Sequence, residues 1–309
     1  MKKAFIPFLL LFVLILSACS SNGTASTSEK EATNAKEKPE TITYQSENGP
    51  VEVPADPQRV VVLQSFTGNV MALDVNLVGV DSWSKANPNF AEELEGVEEV
   101  AEDDLEKIIE LDPDLIIGLS TTKNVDKLNE IAPTVTYTYG KVDYLTQHIE
   151  IGKLLNKEKE ARAWVEDFKQ RAEQAGKEIK AKIGEDATVS VIESWDKQLY
   201  VYGDNWGRGT EILYQAMDLN MPEKVKETAL KDGYYALSLE VLPEFAGDYV
   251  ILSKNKETDH SFQETETYKN IPAVKNNQVF EVAAEEFYFN DPLTLELQLD
   301  YFIEKFLGK

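Results

Sequence analysis

The sequence predicts an α/β protein of two lobes, each a parallel sheet covered by helices, joined by one long helix. Three observations carry this. Short β-branched runs alternate with segments of helical spacing along most of the chain. A proline-free polar stretch, Asn156 to Ile183, interrupts that alternation near its middle. A helix-turn-strand pattern in the first half returns in the second.

Taken in order, the chain opens with Lys2 and Lys3, an apolar run from Ala4 to Leu16, and Leu16-Ser17-Ala18-Cys19, which holds the only cysteine. A lone thiol forms no internal disulfide, and small residues after a short apolar run mark a cleavage site. The run is shorter than the roughly 20 apolar residues of a membrane span. This segment resembles the lipobox of bacterial lipoproteins, which implies a signal peptide over residues 1–19 and lipidation of Cys19. Two or more acyl chains anchor a protein stably at a membrane, where one does not. The resemblance therefore implies a protein held at the extracellular face of the cell membrane.

Residues 20–41 contain no valine, leucine or aromatic side chain until Ile42. Such a segment cannot offset the entropy of ordering and is expected to be a disordered tether, spanning roughly 25 Å. The remainder is long enough for large cores. It is also acidic: 55 Asp and Glu face 31 Lys and Arg, for a net charge of −24, two units more negative once Lys2 and Lys3 leave with the leader. That field repels phosphate backbones, so nucleic acid is not an expected partner.

The N-terminal lobe is expected over residues 42–155, with strands at Arg59–Leu63, Leu77–Val80, Leu115–Gly118 and Thr134–Tyr137. Residues 156–183 follow as the connecting helix, with Asn156 as its cap, long enough to extend roughly 40 Å. Its many charged residues suit a connector better than a core element. The C-terminal lobe, residues 184–309, has strands at Thr188–Glu193, Tyr249–Ser253 and Val279–Val282. Leu105-Glu106 precedes Asp114-Leu115-Ile116-Ile117 by the interval at which Leu239-Glu240 precedes Asp248-Tyr249-Val250-Ile251. Ile131-Ala132-Pro133 and Ile271-Pro272-Ala273 then follow each copy. The repeat argues for two related, Rossmann-like lobes.

The residues that carry chemistry cluster in a few loops. In Tyr200-Val201-Tyr202-Gly203-Asp204-Asn205-Trp206-Gly207-Arg208-Gly209, Tyr200 and Tyr202 share one face of a strand that breaks into a glycine-rich loop. Thr210-Glu211-Ile212 then begins a helix. Ligands bind at the carboxyl ends of strands in open α/β sheets, so Trp206 and Arg208 are expected in the crevice. Arg208 offers planar donors for adjacent oxygen acceptors, and Trp206 a flat apolar wall. In Glu286-Phe287-Tyr288-Phe289-Asn290-Asp291-Pro292, three successive aromatics in an extended segment cannot share one face, so at least one meets a cleft. Asp291-Pro292 reads as the cap and first residue of the last helix. The N-terminal loops after strands are Gln64-Ser65-Phe66-Thr67, Asp81-Ser82-Trp83, Ser120-Thr121-Thr122 and Thr138-Tyr139-Gly140. Trp83 and Phe66 either wall the crevice or pack beneath their loops.

Two separated histidines, His148 and His260, form no ligand-spaced set, so no directly bound metal is expected; His148 reads as an ordinary helix residue. No Gly-x-Ser-x-Gly elbow is present, and two histidines leave few candidate bases for a hydrolase.

These lobes, helix and lipobox resemble the class III substrate-binding proteins of bacterial ABC importers. The YGDNWGRG and FYFNDP runs, with Asp56-Pro57-Gln58-Arg59 and Gly184-Glu185-Asp186-Ala187-Thr188-Val189-Ser190, are similar to Gram-positive ferric hydroxamate receptors of the FhuD type. That resemblance implies a monomeric, non-enzymatic protein without a cofactor. It implies a siderophore such as ferrichrome or ferrioxamine as ligand, bound with its iron already wrapped. Arg208, Trp206, Tyr139, Tyr288, Tyr200, Trp83 and Phe66 become the expected ligand-binding residues, with Tyr288 where some relatives carry tryptophan. Glu106 and Glu240 become the expected docking residues, one per lobe, for a permease dimer driven by a separate ATPase. A catecholate siderophore, haem or cobalamin stays open as the alternative ligand. A siderophore hydrolase is the rival from another class.

Overall fold

The computed structural model describes residues 40–309; the leader, Cys19 and nearly all of the tether lie outside the described residues. Among the described residues no helix is long and apolar enough to cross a membrane.

The first element is an antiparallel hairpin, β1 (Thr41–Ser46) with β2 (Gly49–Pro54), which patterning did not single out. Tyr44 buries against the first lobe, where its hydroxyl accepts from that of Tyr137 at 3.1 Å. A five-stranded sheet follows, built from β3 (Val60–Val62), β4 (Leu77–Val80), β5 (Glu98–Glu99), β6 (Leu115–Leu119) and β7 (Thr134–Tyr137). Its order is β5-β4-β3-β6-β7, and every neighbouring pair is parallel. Val60, Val61 and Val62 are wholly buried, as expected of a central strand covered on both faces.

The second sheet comprises β8 (Val189–Trp195), β9 (Gln198–Tyr202), β10 (Tyr234–Leu237), β11 (Tyr249–Lys254) and β12 (Val279–Ala283), in the order β10-β9-β8-β11-β12. Here the structure corrects the expected all-parallel sheet. β8–β11 and β11–β12 are parallel, but β8–β9 and β9–β10 are antiparallel. The cause is a two-residue turn at Asp196 and Lys197, both in the left-handed region with φ of 44° and 67°. Two central residues of positive φ match the twist of a tight hairpin and send β9 straight back along β8.

The connecting helix runs from Glu158 to Ile183, 26 residues, about 39 Å. Asn156 is not its cap: its φ is 56° and its amide donates to the Ala55 carbonyl at 3.3 Å, which makes it a turn residue. Nor is the helix only a polar strut. Ala161, Val165, Phe168, Ala172, Ala175 and Ile179 form a buried stripe at helical spacing. Ala161 joins the first lobe's core and the remainder the second's. One helix is thus built into both lobes.

The last helix, Pro292–Leu307, begins as expected: Asp291 accepts from the N–H groups of Leu293 at 3.0 Å and Thr294 at 3.2 Å. Its start abuts the first lobe so closely that a Cβ on Gly68 would overlap the Asp291 carboxylate. Phe90 stacks on Phe289 at 5.8 Å, and Asn89 donates to the Glu286 carbonyl at 3.0 Å. These contacts tie the lobes beside the crevice. The repeat holds through the central strands. Asp114 accepts from the N–H groups of Gln58 and Arg59 just before β3, and Asp248 from that of Thr188 just before β8. Beyond them the copies diverge: β7 starts at Thr134, whereas Pro272–Lys275 is a short helix before β12.

Candidate functional site

Between the lobes lies a cavity of about 470 Å³, walled by Trp83 and Tyr139 on one side and Trp206, Arg208 and Tyr288 on the other. The N-terminal wall follows the strand-end rule. Asp81, just after β4, caps the helix Ser82–Ala86, accepting from the N–H groups of Trp83 at 3.0 Å and Ser84 at 3.2 Å. That cap holds Trp83 outward, 51 % exposed, across from the second lobe. Its ring stacks on Trp195 at 5.8 Å and meets Tyr288 edge-on at 5.3 Å. Tyr139, just after β7, turns its edge to Trp206 at 6.1 Å.

The C-terminal wall is assembled differently. Because β9 is antiparallel, its carboxyl end is not at the edge where β8 and β11 finish, so the strand-end argument for Trp206 and Arg208 does not apply. The loop instead folds back over the sheet through three successive left-handed residues: Gly207 at φ 66°, Arg208 at 58° and Gly209 at 84°. A Cβ on Gly207 would overlap the Tyr288 carbonyl oxygen, and one on Gly209 would lie 2.8 Å from the Phe302 ring. Only glycine suits either place. Glu211, 2 % exposed, buckles the loop, accepting from the Gly207 N–H at 3.0 Å and bonding the Thr210 hydroxyl at 2.9 Å. Burial raises its pKa above the ordinary carboxyl range. Glu211 opens the helix expected here, which is a π-helical turn over Glu211–Ala216.

Arg208 is the cleft's central cation. Its guanidinium lies between the rings of Tyr202 at 4.7 Å and Tyr288 at 4.6 Å. Nε donates to Glu193 at 3.0 Å, Nη2 to the same carboxylate at 3.3 Å and Nη1 to the Trp206 carbonyl at 3.2 Å. Glu193 is 0 % exposed and also accepts from the Ser253 hydroxyl at 2.7 Å. Burial opposes the charge on Arg208, yet Glu193 and the flanking tyrosines outweigh it, and its pKa lies above the ordinary value. Burial pushes the Tyr288 phenol up to about 12, so it is a neutral donor at physiological pH. Among the described residues three of the five guanidinium donors are engaged, which leaves one on each terminal nitrogen. The cleft therefore offers aromatic walls and a guanidinium whose charge is balanced by a buried carboxylate.

The structure brings Arg208, Trp206, Tyr139, Tyr288 and Trp83 together around this one cavity. Tyr200 flanks it with Tyr202 and Trp195 on the C-terminal side. Phe66 is apart: it is 4 % exposed, packs edge-on to Tyr137 at 5.4 Å and belongs to the N-terminal core. Tyr288 reaches the cleft on different geometry from the expected extended segment. Ala284–Phe287 is a helical turn, after which Phe287 enters the C-terminal core, Tyr288 the cleft, and Phe289 contacts Phe90. Glu106 is exposed in the first turn of the helix Leu105–Glu110. Glu240 is exposed but lies in a turn ahead of the helix Leu242–Phe245, where Ser238 holds its pKa below the ordinary range. Sequence reasoning missed Glu193 and Trp195. The closely spaced runs on either side of Asp196-Lys197 were the available signal for the hairpin that carries them.

Two sheets, a shared helix and a cleft between them define a substrate-binding protein of the periplasmic-binding class. The chain matches the family model for periplasmic binding proteins over residues 60–286 and belongs to that family. It is 37 % identical to the iron(3+)-hydroxamate-binding protein FhuD of Bacillus subtilis (strain 168), over 96 % of this chain and 95 % of that one. Among solved structures it is similar to FhuD2 of Staphylococcus aureus with bound ferrioxamine B, at 35 % identity and TM-score 0.78, covering 82 % of this chain and 99 % of that one. It is also similar to the periplasmic binding protein component of a ferrichrome ABC transporter from Bacillus subtilis, at 36 % identity and TM-score 0.79, covering 86 % and 100 %. The chain is thus a binding protein and not an enzyme.

Proposed function

We propose that this protein captures a ferric hydroxamate siderophore in the interlobe cleft and delivers it to an ABC permease for iron uptake. The observation that carries this reading is the buried pairing of Arg208 with Glu193. Three hydroxamates balance the charge of iron(III), so the coordinated core is neutral and presents a ring of coordinating oxygens. A cleft with aimed donors and its cation already neutralised suits such a ligand. A ferric catecholate is strongly anionic and calls for unpaired cations, whereas among the described residues Arg208 is the only Lys or Arg lining this cavity. The relatives that bind hydroxamates support the same class.

Delivery would use Glu106 and Glu240, one exposed carboxylate on each lobe, set against basic residues of a permease dimer powered by its ATPase. Cys19, lipidated at the outer face of the membrane, would hold the monomer near its partner. Because one helix is built into both cores, lobe motion should be a small hinge.

Tryptophan fluorescence of the protein from Ser20 onward, titrated with ferrioxamine, ferrichrome, a ferric catecholate, haem and cobalamin, tests the ligand class. Saturable quenching by hydroxamates, weakened at least tenfold in Arg208→Ala, is expected. Saturation only by one of the others would overturn it. For docking, Glu106→Ala with Glu240→Ala should leave this affinity unchanged and abolish uptake in cells; normal uptake would remove the two glutamates from that role.

A further inference from the structure

Behind the Tyr139 side of the cleft lies a second cavity of about 340 Å³ that shares Tyr139 and Asn290 with the first. Asn290 forms the partition, its amide donating to the Tyr139 hydroxyl at 3.3 Å and to Glu211 at 2.8 Å. The two chambers differ in charge. Arg208 lines only the cleft, alongside the buried Asp81, whereas the side cavity is lined by Asp204, Glu211 and Asp143, the last with its carboxylate capping the next helix. Its one basic residue, Lys141, is drawn to Glu47 at 3.2 Å. Phe66 and Val142 add apolar surface to its lining. Glu211 already accepts only from N–H and O–H donors, one of them the partition amide.

We infer that this side cavity is a subsite for a cationic arm, a primary ammonium on a methylene chain, carried by a linear ferric hydroxamate whose iron core sits in the main cleft. The proposal rests on the ligand class argued above. The methylenes lie along Phe66 and Val142, and the ammonium takes the donor position at Glu211 and Asp204 by moving the Asn290 amide aside. A buried carboxyl group gains from a cation brought to it in a medium of low dielectric. The same cavity gives nothing to a cyclic or acylated hydroxamate without a charged arm.

Titrating the full chain with iron-loaded ferrioxamine B, which ends in a primary amine, and with its N-acetylated derivative tests the subsite. The amine form should bind about tenfold more tightly, the scale of one charge-assisted hydrogen bond. Asp204→Asn should remove most of that preference while leaving the acetylated ligand's affinity unchanged. Asp204 does not buckle the Arg208 loop, so this variant reads the subsite independently of folding. Equal binding of both ligands by the unmodified protein would overturn the subsite and leave the hydroxamate reading intact. Failure of both ligands to bind would overturn the two together.

Discussion

The two lobes share a plan and use it differently. In the five-stranded sheet of the N-terminal lobe every strand pair is parallel, and Trp83 and Tyr139 reach the cleft from loops just past strand ends. In the C-terminal lobe a hairpin reverses the corresponding strand, and Arg208 arrives on a loop folded back in left-handed geometry. The difference shows how one scaffold divides the work of recognition. Side chains at strand ends need only a turn, and they supply apolar surface. Burying a guanidinium needs a counter-charge and a fixed approach, since a lone buried ion is costly. Glu193 and Ser253 sit on adjacent strands, β8 and β11, beneath the loop, and the glycines and Glu211 hold that loop down. The specialised half of the site is thus the half that departs from the parallel plan.

The strongest way to break this comparison is to put a methyl group on one glycine of each lobe. Gly207→Ala in the C-terminal loop meets the Tyr288 carbonyl oxygen at a φ of 66°. Overpacking and the left-handed penalty together should cost about 3 kcal/mol and displace Arg208. Gly140→Ala in the N-terminal loop has a similar φ, 74°, but open space around it. It should cost only about 1 kcal/mol and leave affinity nearly unchanged. Urea midpoints and ligand titrations on the two variants measure both. Equal losses would mean that the two loops are equally built, and the contrast between lobes would fall.

How much of this was legible in the sequence follows the same division. β-branched runs located the central strands of both lobes because buried parallel strands carry no other pattern. The glycine spacing around Trp206 and Arg208 marked a loop that only glycine permits. Sheet direction in the second lobe was hidden because Asp196-Lys197 is a weak hairpin signal beside Asn-Gly. Glu193 was hidden for a different reason. A glutamate within a strand reads as a solvent-facing position, and its burial depends on Arg208, fifteen residues away in sequence. Phe66 and Trp83 looked alike as loop aromatics. What separates them is the Asp81 cap, which turns Trp83 outward, while Phe66 falls against Tyr137.

A smaller and sharper effect is expected from the charge pair itself. Glu193→Gln keeps the side chain's size and its capacity to accept from Ser253 and Arg208, but leaves the guanidinium without a counter-ion. The cost to stability should be modest, about 1–3 kcal/mol, because Arg208 keeps its stacking on Tyr202 and Tyr288 and is still 15 % exposed to solvent. The guanidinium would then present an unpaired positive charge to the cleft. Its affinity for a neutral ferric hydroxamate should change by less than about threefold, while that for an anionic ferric catecholate should rise about tenfold, an effect that fades with added salt. Competition titrations at low and high ionic strength read this directly. On the N-terminal wall, Trp83 and Tyr139 carry no charge to unmask. A preference unmoved by Glu193→Gln would mean that shape alone selects the ligand, and the buried pair would then matter only for holding the loop in place.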